Sequence, residues 1–323
     1  IKMSSASLTK NIPDIKNQSG KTLKNKNKNK VKDSRGDKIY YTIVYILLII
    51  ILLIVLYPLI YILSASFSSP HAVSTGKVIL FPVEFSLEGY KAVFRYKDVI
   101  IGYRNTLYYT IVGTAINVAL TLMAAYPLSR KTLPGRGFIT FLFTFTMLFS
   151  GGMVPHYILM SELNLLNKPW TMLIPGAISI TNLIITRTFM INNIPSDLLE
   201  AAQIDGCSDI KYFFSVILPL SKANIAVITL YYAVGHWNSY FNAFLYLSDK
   251  NLFPLQIFLR EILVLSQIDA STVSDQETLV AIQGLSDLLK YSLIVVATVP
   301  ILCLYPFVQR YFIKGVMIGS LKG

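Results

Sequence analysis

The chain has 323 residues, 54% of them hydrophobic and only 14% charged, with a net charge of +12 and a mean hydropathy of +0.55. Soluble globular domains carry about 25% charged residues, so an ordinary water-soluble fold is excluded. What remains is an all-α, polytopic membrane protein, because a helix satisfies its backbone hydrogen bonds within its own segment when no water is present.

Residues 1–38 hold eleven Lys and Arg, including the alternating run Lys24-Asn25-Lys26-Asn27-Lys28-Asn29-Lys30. Such a polar, low-complexity segment cannot bury enough apolar surface to fold. It reads as a basic, disordered cytoplasmic tail that attracts anionic membrane lipid. No aromatic or fold signal accompanies the charge, so no nucleic-acid partner is expected. No cleavable signal peptide is expected either: the first apolar run is too long and lacks a small-residue cleavage site.

Residues 39–323 read as one membrane domain. Apolar stretches of about 20 residues cross a hydrocarbon core about 30 Å thick, and six are expected, at roughly Ile39–Leu63, Thr106–Leu128, Phe138–Met160, Trp170–Met190, Ala223–Leu247 and Ser292–Ile313. The third contains Ser150-Gly151-Gly152 and Pro155, the fourth Pro175-Gly176, and the sixth Pro300 and Pro306. Breaks of this kind near the midplane are where transporters build binding sites. Lys and Arg mark cytoplasmic ends. The basic N-terminus, the loop bearing Arg130, Lys131 and Arg136, and the end bearing Arg310, Lys314 and Lys322 therefore place both termini inside, in the cell membrane, with segment 195–220 also inside. The acid-rich segment 248–289 then faces outward.

Segment 195–220 is a polar island between apolar stretches. Pro195 and Ser196 suit a helix start and Gly206 a helix end. Ser208 suits the cap of a second helix, in which Ile210, Phe213, Phe214 and Ile217 fall at i, i+3, i+4 and i+7, an apolar stripe that would anchor it until Pro219 stops it. Two short helices meeting at a glycine form a knob that another protein can grip. Cys207 and Cys303 lie too far apart in depth to pair. His71, His156 and His236 are scattered, no metal-ligand cluster occurs, and there is no Gly-rich Lys-Ser/Thr loop to hold nucleotide phosphates. If ATP drives this protein, the ATPase is a separate chain.

Glu200-Ala201-Ala202, three residues, Gly206, nine residues, Val216, one residue and Leu218-Pro219 have the spacing of the EAA signature, and the segment resembles that of ABC import permeases. Over residues 40–323 the chain looks like the maltose-type second permease of carbohydrate importers. Trp237-Asn238 and the segments 311–315 and 321–323 are similar to that branch, and Phe149–Pro155 is similar to its complex-oligosaccharide subgroup.

The resemblance implies the type I ABC importer permease fold, with six transmembrane helices and no catalytic residue. It implies a second homologous permease, two ATPase subunits carrying the ATP and Mg, an extracytoplasmic solute-binding protein, and an oligosaccharide cargo, with an acidic polysaccharide fragment suggested by the subgroup. Glu200, Ala201, Ala202, Asp205 and Gly206 would couple to an ATPase, with the helix Ser196–Asp205 seated in its cleft and Gly319, Lys322 and Gly323 reaching toward it.

A sugar needs hydrogen-bonding groups beside aromatic faces, and polar groups within spans face the interior. His236, Trp237, Asn238, Tyr240, Asn242, Asn117 and Asn182 are the candidates for the sugar path. The alternative for each is packing, cross-helix bonding or a place in the interfacial aromatic belt. Gln256, Arg260 and Glu261 are the candidates for binding-protein contact; the alternative is a solvated loop with a short amphipathic helix near Phe258–Leu265. A permease for another solute shares this architecture. An ion-driven secondary transporter would need membrane-embedded carboxylates, and no Asp or Glu lies inside any expected span.

Overall fold

The computed structural model describes residues 34–268 and 288–303, with Pro306 and Gln309. The described residues are helical, with no strand among them. They divide into two units, the first ending at Leu56 and the second beginning at Tyr57. The basic tail lies outside the described residues up to position 33, as do the tail residues Gly319, Lys322 and Gly323 and the outer segment 269–287.

The first unit is the N-terminal part of α1 (Arg35–Ser66). The helix begins four residues before the expected span, because Ser34 and Asp37 cap each other reciprocally. The Asp37 N–H donates to Ser34 Oγ at 3.1 Å and the Ser34 N–H to Asp37 Oδ2 at 3.0 Å. From Ile39 to Leu56 nearly every apolar side chain is exposed, with Ile54 at 68%. A helix apolar on all sides has the surface of a membrane span.

In the second unit the chain turns through α2 (Pro70–Ser74) and α3 (Glu88–Arg95) into α4 (Lys97–Ser129), 33 residues long. Then come α5 (Arg136–Leu148), α6 (Met153–Glu162), a 3₁₀ turn at Pro169–Met172, α7 (Ile180–Asn193) and α8 (Asp197–Ile204). α9 (Asp209–Tyr212) passes through a π-turn at Phe213–Ile217 into α10 (Leu218–Leu220). The remainder is α11 (Lys222–Trp237), α12 (Phe241–Tyr246), α13 (Leu255–Ile268) and α14 (Leu288–Cys303).

The central element is α4, packed chiefly against α11, α7 and α13. Much of its buried stripe, at three- and four-residue spacing, is small or polar (Gly102, Asn105, Thr106, Thr110, Gly113, Thr114, Asn117 and Thr121), beside the larger Val99, Tyr109, Leu122 and Leu128. Its outward residues are apolar, with Ile111 66% and Met123 62% exposed. That inversion of a soluble helix is expected where lipid and protein interior are equally apolar, so that association depends on close approach and hydrogen bonds. Thr121 Oγ1 lies 2.7 Å from Tyr232 Oη of α11, and Asn224 Nδ2 of α11 donates to Thr186 Oγ1 of α7 at 3.1 Å. At the other end of α4, Asn105 Nδ2 donates to the Asn251 and Phe253 carbonyls, and the Leu255 N–H donates to Thr106 Oγ1 at 2.9 Å.

Two helices, Arg35–Ser66 and Lys97–Ser129, are each long and apolar enough to cross a membrane, and up to four spans result if each bent pair counts once. The expected third span is two helices, α5 and α6, bent by 115° at the Gly151-Gly152 break. In the expected fourth, the α-helix that follows Pro175-Gly176 is α7, whose 14 residues start only at Ile180 and run past the expected end to Asn193. The expected fifth stops at Trp237 and restarts at Phe241. The expected sixth is helical over Leu288–Cys303, and most of its remainder lies outside the described residues. Apolar length read along the sequence joins pieces that Pro and Gly separate in space.

Candidate functional site

The knob at 195–220 forms as two helices about a glycine. Ser196 stands at the N-cap of α8 but does not cap it: its backbone is helical, at φ −60° and ψ −32°, and its hydroxyl donates to Asp197 Oδ1 at 3.3 Å. Asp197 and Glu200 occupy the first turn, where the positive end of the helix dipole favours carboxylates. The helix closes as a Schellman turn. The Gly206 N–H donates to the Gln203 carbonyl at 3.0 Å and the Cys207 N–H to the Ala202 carbonyl at 2.8 Å, with Gly206 at φ +69°. Ser208 then caps α9, accepting from the Lys211 N–H at 3.3 Å.

The expected apolar stripe on the second helix is not a single face. Ile210 is 73% and Phe214 62% exposed, whereas Tyr212 at 2% and Ile217 at 4% are buried. The π-turn is the cause. Winding i to i+5 places residues five apart on one side, so Tyr212 and Ile217 share the face that packs with Leu122, Leu128 and Ile228. Pro219 does not end the segment, which runs to Leu220 before an 80° bend into α11.

The Glu-Ala-Ala run divides between two faces. Ala202 and Leu199 pack inward on the core, whereas Glu200, Ala201 and Asp205 are exposed. Ile204 is 86% exposed, beside Leu198 at 42% and with Ile210 across the turn. Large apolar side chains held out on a polar loop mark a partner surface. Sequence reasoning missed Ile204, although a lone Ile between Gln203 and Asp205 was the available signal. Beneath α8 a cleft of about 580 Å³ is lined by Ser196, Leu199 and Glu200 on one side and by Tyr126, Arg130 and Lys131 on the other.

The candidates for the sugar path disperse. Asn117 Nδ2 donates to His236 Nε2 at 3.1 Å, and His236 sits in the notch left by Gly113. Asn117 Oδ1, Thr110 Oγ1 and Thr114 Oγ1, on the same α4 stripe, are buried with no hydrogen-bond partner among the described residues. Trp237 is buried, and its Nε1–H donates to the Ala297 carbonyl at 2.9 Å. Asn238 donates to the Val234 carbonyl at the end of α11, Tyr240 lies under Arg260, and Asn182 is buried in α7. Because Trp237 adds a bond to a buried carbonyl within the helix α14, Trp237→Phe is expected to lower the stability of the detergent-solubilised protein by about 0.5–1.5 kcal/mol, the net worth of one intramolecular hydrogen bond. Thermal unfolding followed by fluorescence of the remaining Trp170 checks this.

Asn242 belongs to a different constellation. It lines a cavity of about 580 Å³ with Ser150, Gly151, Gly152, His156, Pro175, Gly176, Phe241 and Tyr246. Three helix breaks, after α5, before α7 and before α12, meet there. His156 Nδ1 is 2.6 Å from Tyr246 Oη, and Tyr157 stacks on the Tyr246 ring at 6.0 Å. The breaks were legible separately; their convergence was not. At the end of α4 away from the knob, a helix does form near Phe258–Leu265, within α13, which buries Leu255, Ile257 and Phe258. Gln256 and Glu261 are half-buried, and the exposed Arg260 stacks on Phe244 at 4.5 Å.

No protein-family profile matches the chain. It is 42% identical over 267 residues to the polygalacturonan/rhamnogalacturonan transport system permease protein YtcP of Bacillus subtilis (strain 168), covering 81% of this chain and 91% of that one. It is 41% identical over 264 residues to Protein LplC of the same organism, covering 81% and 88%. Among solved structures, a crystal structure of a bacterial ABC transporter involved in the import of the acidic polysaccharide alginate matches with a TM-score of 0.78 and 34% identity. That match covers 87% of this chain and 99% of the other.

Proposed function

The chain belongs to the permease subunits of ABC sugar and oligosaccharide transport systems, and on that premise we propose that its cargo is an acidic oligosaccharide released from a polysaccharide. It is a transport subunit in the membrane, not an enzyme. In our reading it pairs with a second permease, receives sugar from an extracytoplasmic binding protein, and is driven by two ATPase subunits that hold the ATP and Mg. The polypeptide crosses the membrane six times with both termini inside, the broken helices α5–α6, α7 and α11–α12 counting as spans.

The observation that carries the coupling role is the α8 knob, a rigid elbow closed by Gly206 whose exposed tip is apolar at Ile204. α8 seats in an ATPase cleft through Glu200, Ala201, Ile204 and Asp205, with Gly319, Lys322 and Gly323 contributing a second contact. Ala202 instead holds α8 to its own core. Gln256, Arg260 and Glu261 meet the binding protein. The sugar passes the cavity of about 580 Å³ where Asn242, His156 and Ser150 supply hydrogen bonds and Phe241 and Tyr246 supply ring faces; binding pockets commonly enclose about 300–1,000 Å³.

The test is ATP turnover by the purified assembly with its binding protein in proteoliposomes. Short uronic-acid oligosaccharides are expected to raise turnover severalfold, with neutral oligosaccharides of the same length having little effect. Stimulation by neutral sugars alone would overturn the acidic cargo, and stimulation by an amino acid or phosphate would overturn the sugar assignment.

A further inference from the structure

We propose that Arg130 is the positioning residue through which movement of the knob reaches the central helix α4. The proposal rests on the permease reading above. Arg130 is the C-cap residue of α4. Its guanidinium donates to Asp209 Oδ1, in the first turn of α9, at 2.8 Å. The same guanidinium lies over the Tyr126 ring at 5.0 Å, one turn back on α4, and over the Tyr212 ring at 5.4 Å, at the far end of α9. Tyr126 Oη–H donates to the same Asp209 oxygen at 3.3 Å. One planar cation thus meets two aromatic rings and a carboxylate at once, a set that Lys, a compact point charge, cannot satisfy.

The arrangement is poorly suited to holding the fold together. Asp209 is 74% exposed in its side chain against 16% for Arg130, and ion pairs with one partner in water add little stability. It is nevertheless the one ion pair among the described residues, and it sits where α8 and α9 meet the rest of the molecule. The last turn of α4 is capped independently, since Arg187 Nε donates to the Leu128 carbonyl at 2.9 Å. Arg130 is therefore free to serve the knob. Besides the packing of Leu199 and Ala202 on the core, α8 has two attachments along the chain: the segment from α7 through Ile194-Pro195, and the Schellman turn leading within three residues to Asp209. The first passes along one helix. The second, through Asp209, Tyr212 and Arg130, joins α4, which packs against α7, α11 and α13. A displacement of α8 that keeps this contact must carry the end of α4 with it.

The test uses the full importer with its ATPases and binding protein in proteoliposomes and reads sugar imported per ATP hydrolysed. Arg130→Gln and Asp209→Asn are each expected to lower that ratio by about fivefold, and the double variant to lower it no further, as for two halves of one contact. Arg130→Lys is expected to behave as Arg130→Gln. The yield of assembled complex should not change, and a loss of yield in step with uptake would instead assign Arg130 a structural role. Asp209→Asn, at an exposed position, serves as the readout if Arg130→Gln does not assemble. Unchanged ratios, additive losses or full rescue by Lys would overturn the proposal while a sugar-coupled wild type upholds the permease. A wild type without sugar-stimulated ATP turnover would overturn both.

Discussion

Ile204→Asp should all but abolish capture of the ATPase by the permease pair while leaving membrane insertion unchanged. Ile204 is 86% exposed and belongs to no core among the described residues, so its removal takes little from the fold. Burying one Ile side chain against a partner contributes about 1.5–3 kcal/mol, and a carboxylate in the same pocket adds a desolvation cost. The expected loss is about 2–3 kcal/mol, or about 30- to 140-fold in affinity. Ile204→Leu should bind nearly normally and Ile204→Ala should fall between. The measurement is co-purification of a tagged ATPase at graded concentration, normalised to permease in the membrane. Wild-type capture by the Asp variant would show that α8 is not the grip.

Gly113→Ala and Gly102→Ala should both destabilise the bundle, but only the first should be repairable at one side chain. A Cβ on Gly113 would lie 2.4 Å from His236 Nε2, and every close atom belongs to that imidazole. A Cβ on Gly102 would meet Phe258 Cδ2 at 2.8 Å, and also Leu255 Cα at 3.0 Å and N at 3.1 Å. Those last two are backbone, which α13 holds in place through the Leu255 N–H bond to Thr106. Overpacking of this kind costs about 1–3 kcal/mol. Adding His236→Ala to Gly113→Ala should recover most of the lost thermal stability in detergent, at the expense of the Asn117 hydrogen bond. Adding Phe258→Ala to Gly102→Ala should recover little. Equal rescue in the two pairs would mean that α13 yields where the backbone contact says it should not.

The parts of the knob governed by local rules were legible in the sequence. Gly206 ends α8 at positive φ and Ser208 caps α9 because both depend on residues within a few positions. The amphipathic helix at α13 was legible for the same reason. Ser196 was a plausible cap that failed, since its backbone had already turned helical. The stripe through Ile210 and Phe214 failed because a 100° step per residue was assumed where the chain winds wider. The run His236 to Asn242 divides between two settings because α11 ends inside it. Trp237 is drawn to the Ala297 carbonyl on α14, and Asn242 is sent to a cavity shared with α6. Arg130 was legible only as a mark of sidedness; its carboxylate partner stands 79 positions further along the chain.

The π-turn at Phe213–Ile217 has a consequence for how such chains diverge. Loop length is ordinarily the most freely altered property of a protein, but a residue lost here would let the segment relax into an α-helix. Everything before it would then rotate by about 100° relative to α11. Tyr212 would leave the side occupied by Ile217, and Asp209 would swing away from Arg130. Insertions and deletions should therefore accumulate among descendants of this chain elsewhere, while the count of residues from Gly206 to Ser221 stays fixed even as their identities drift.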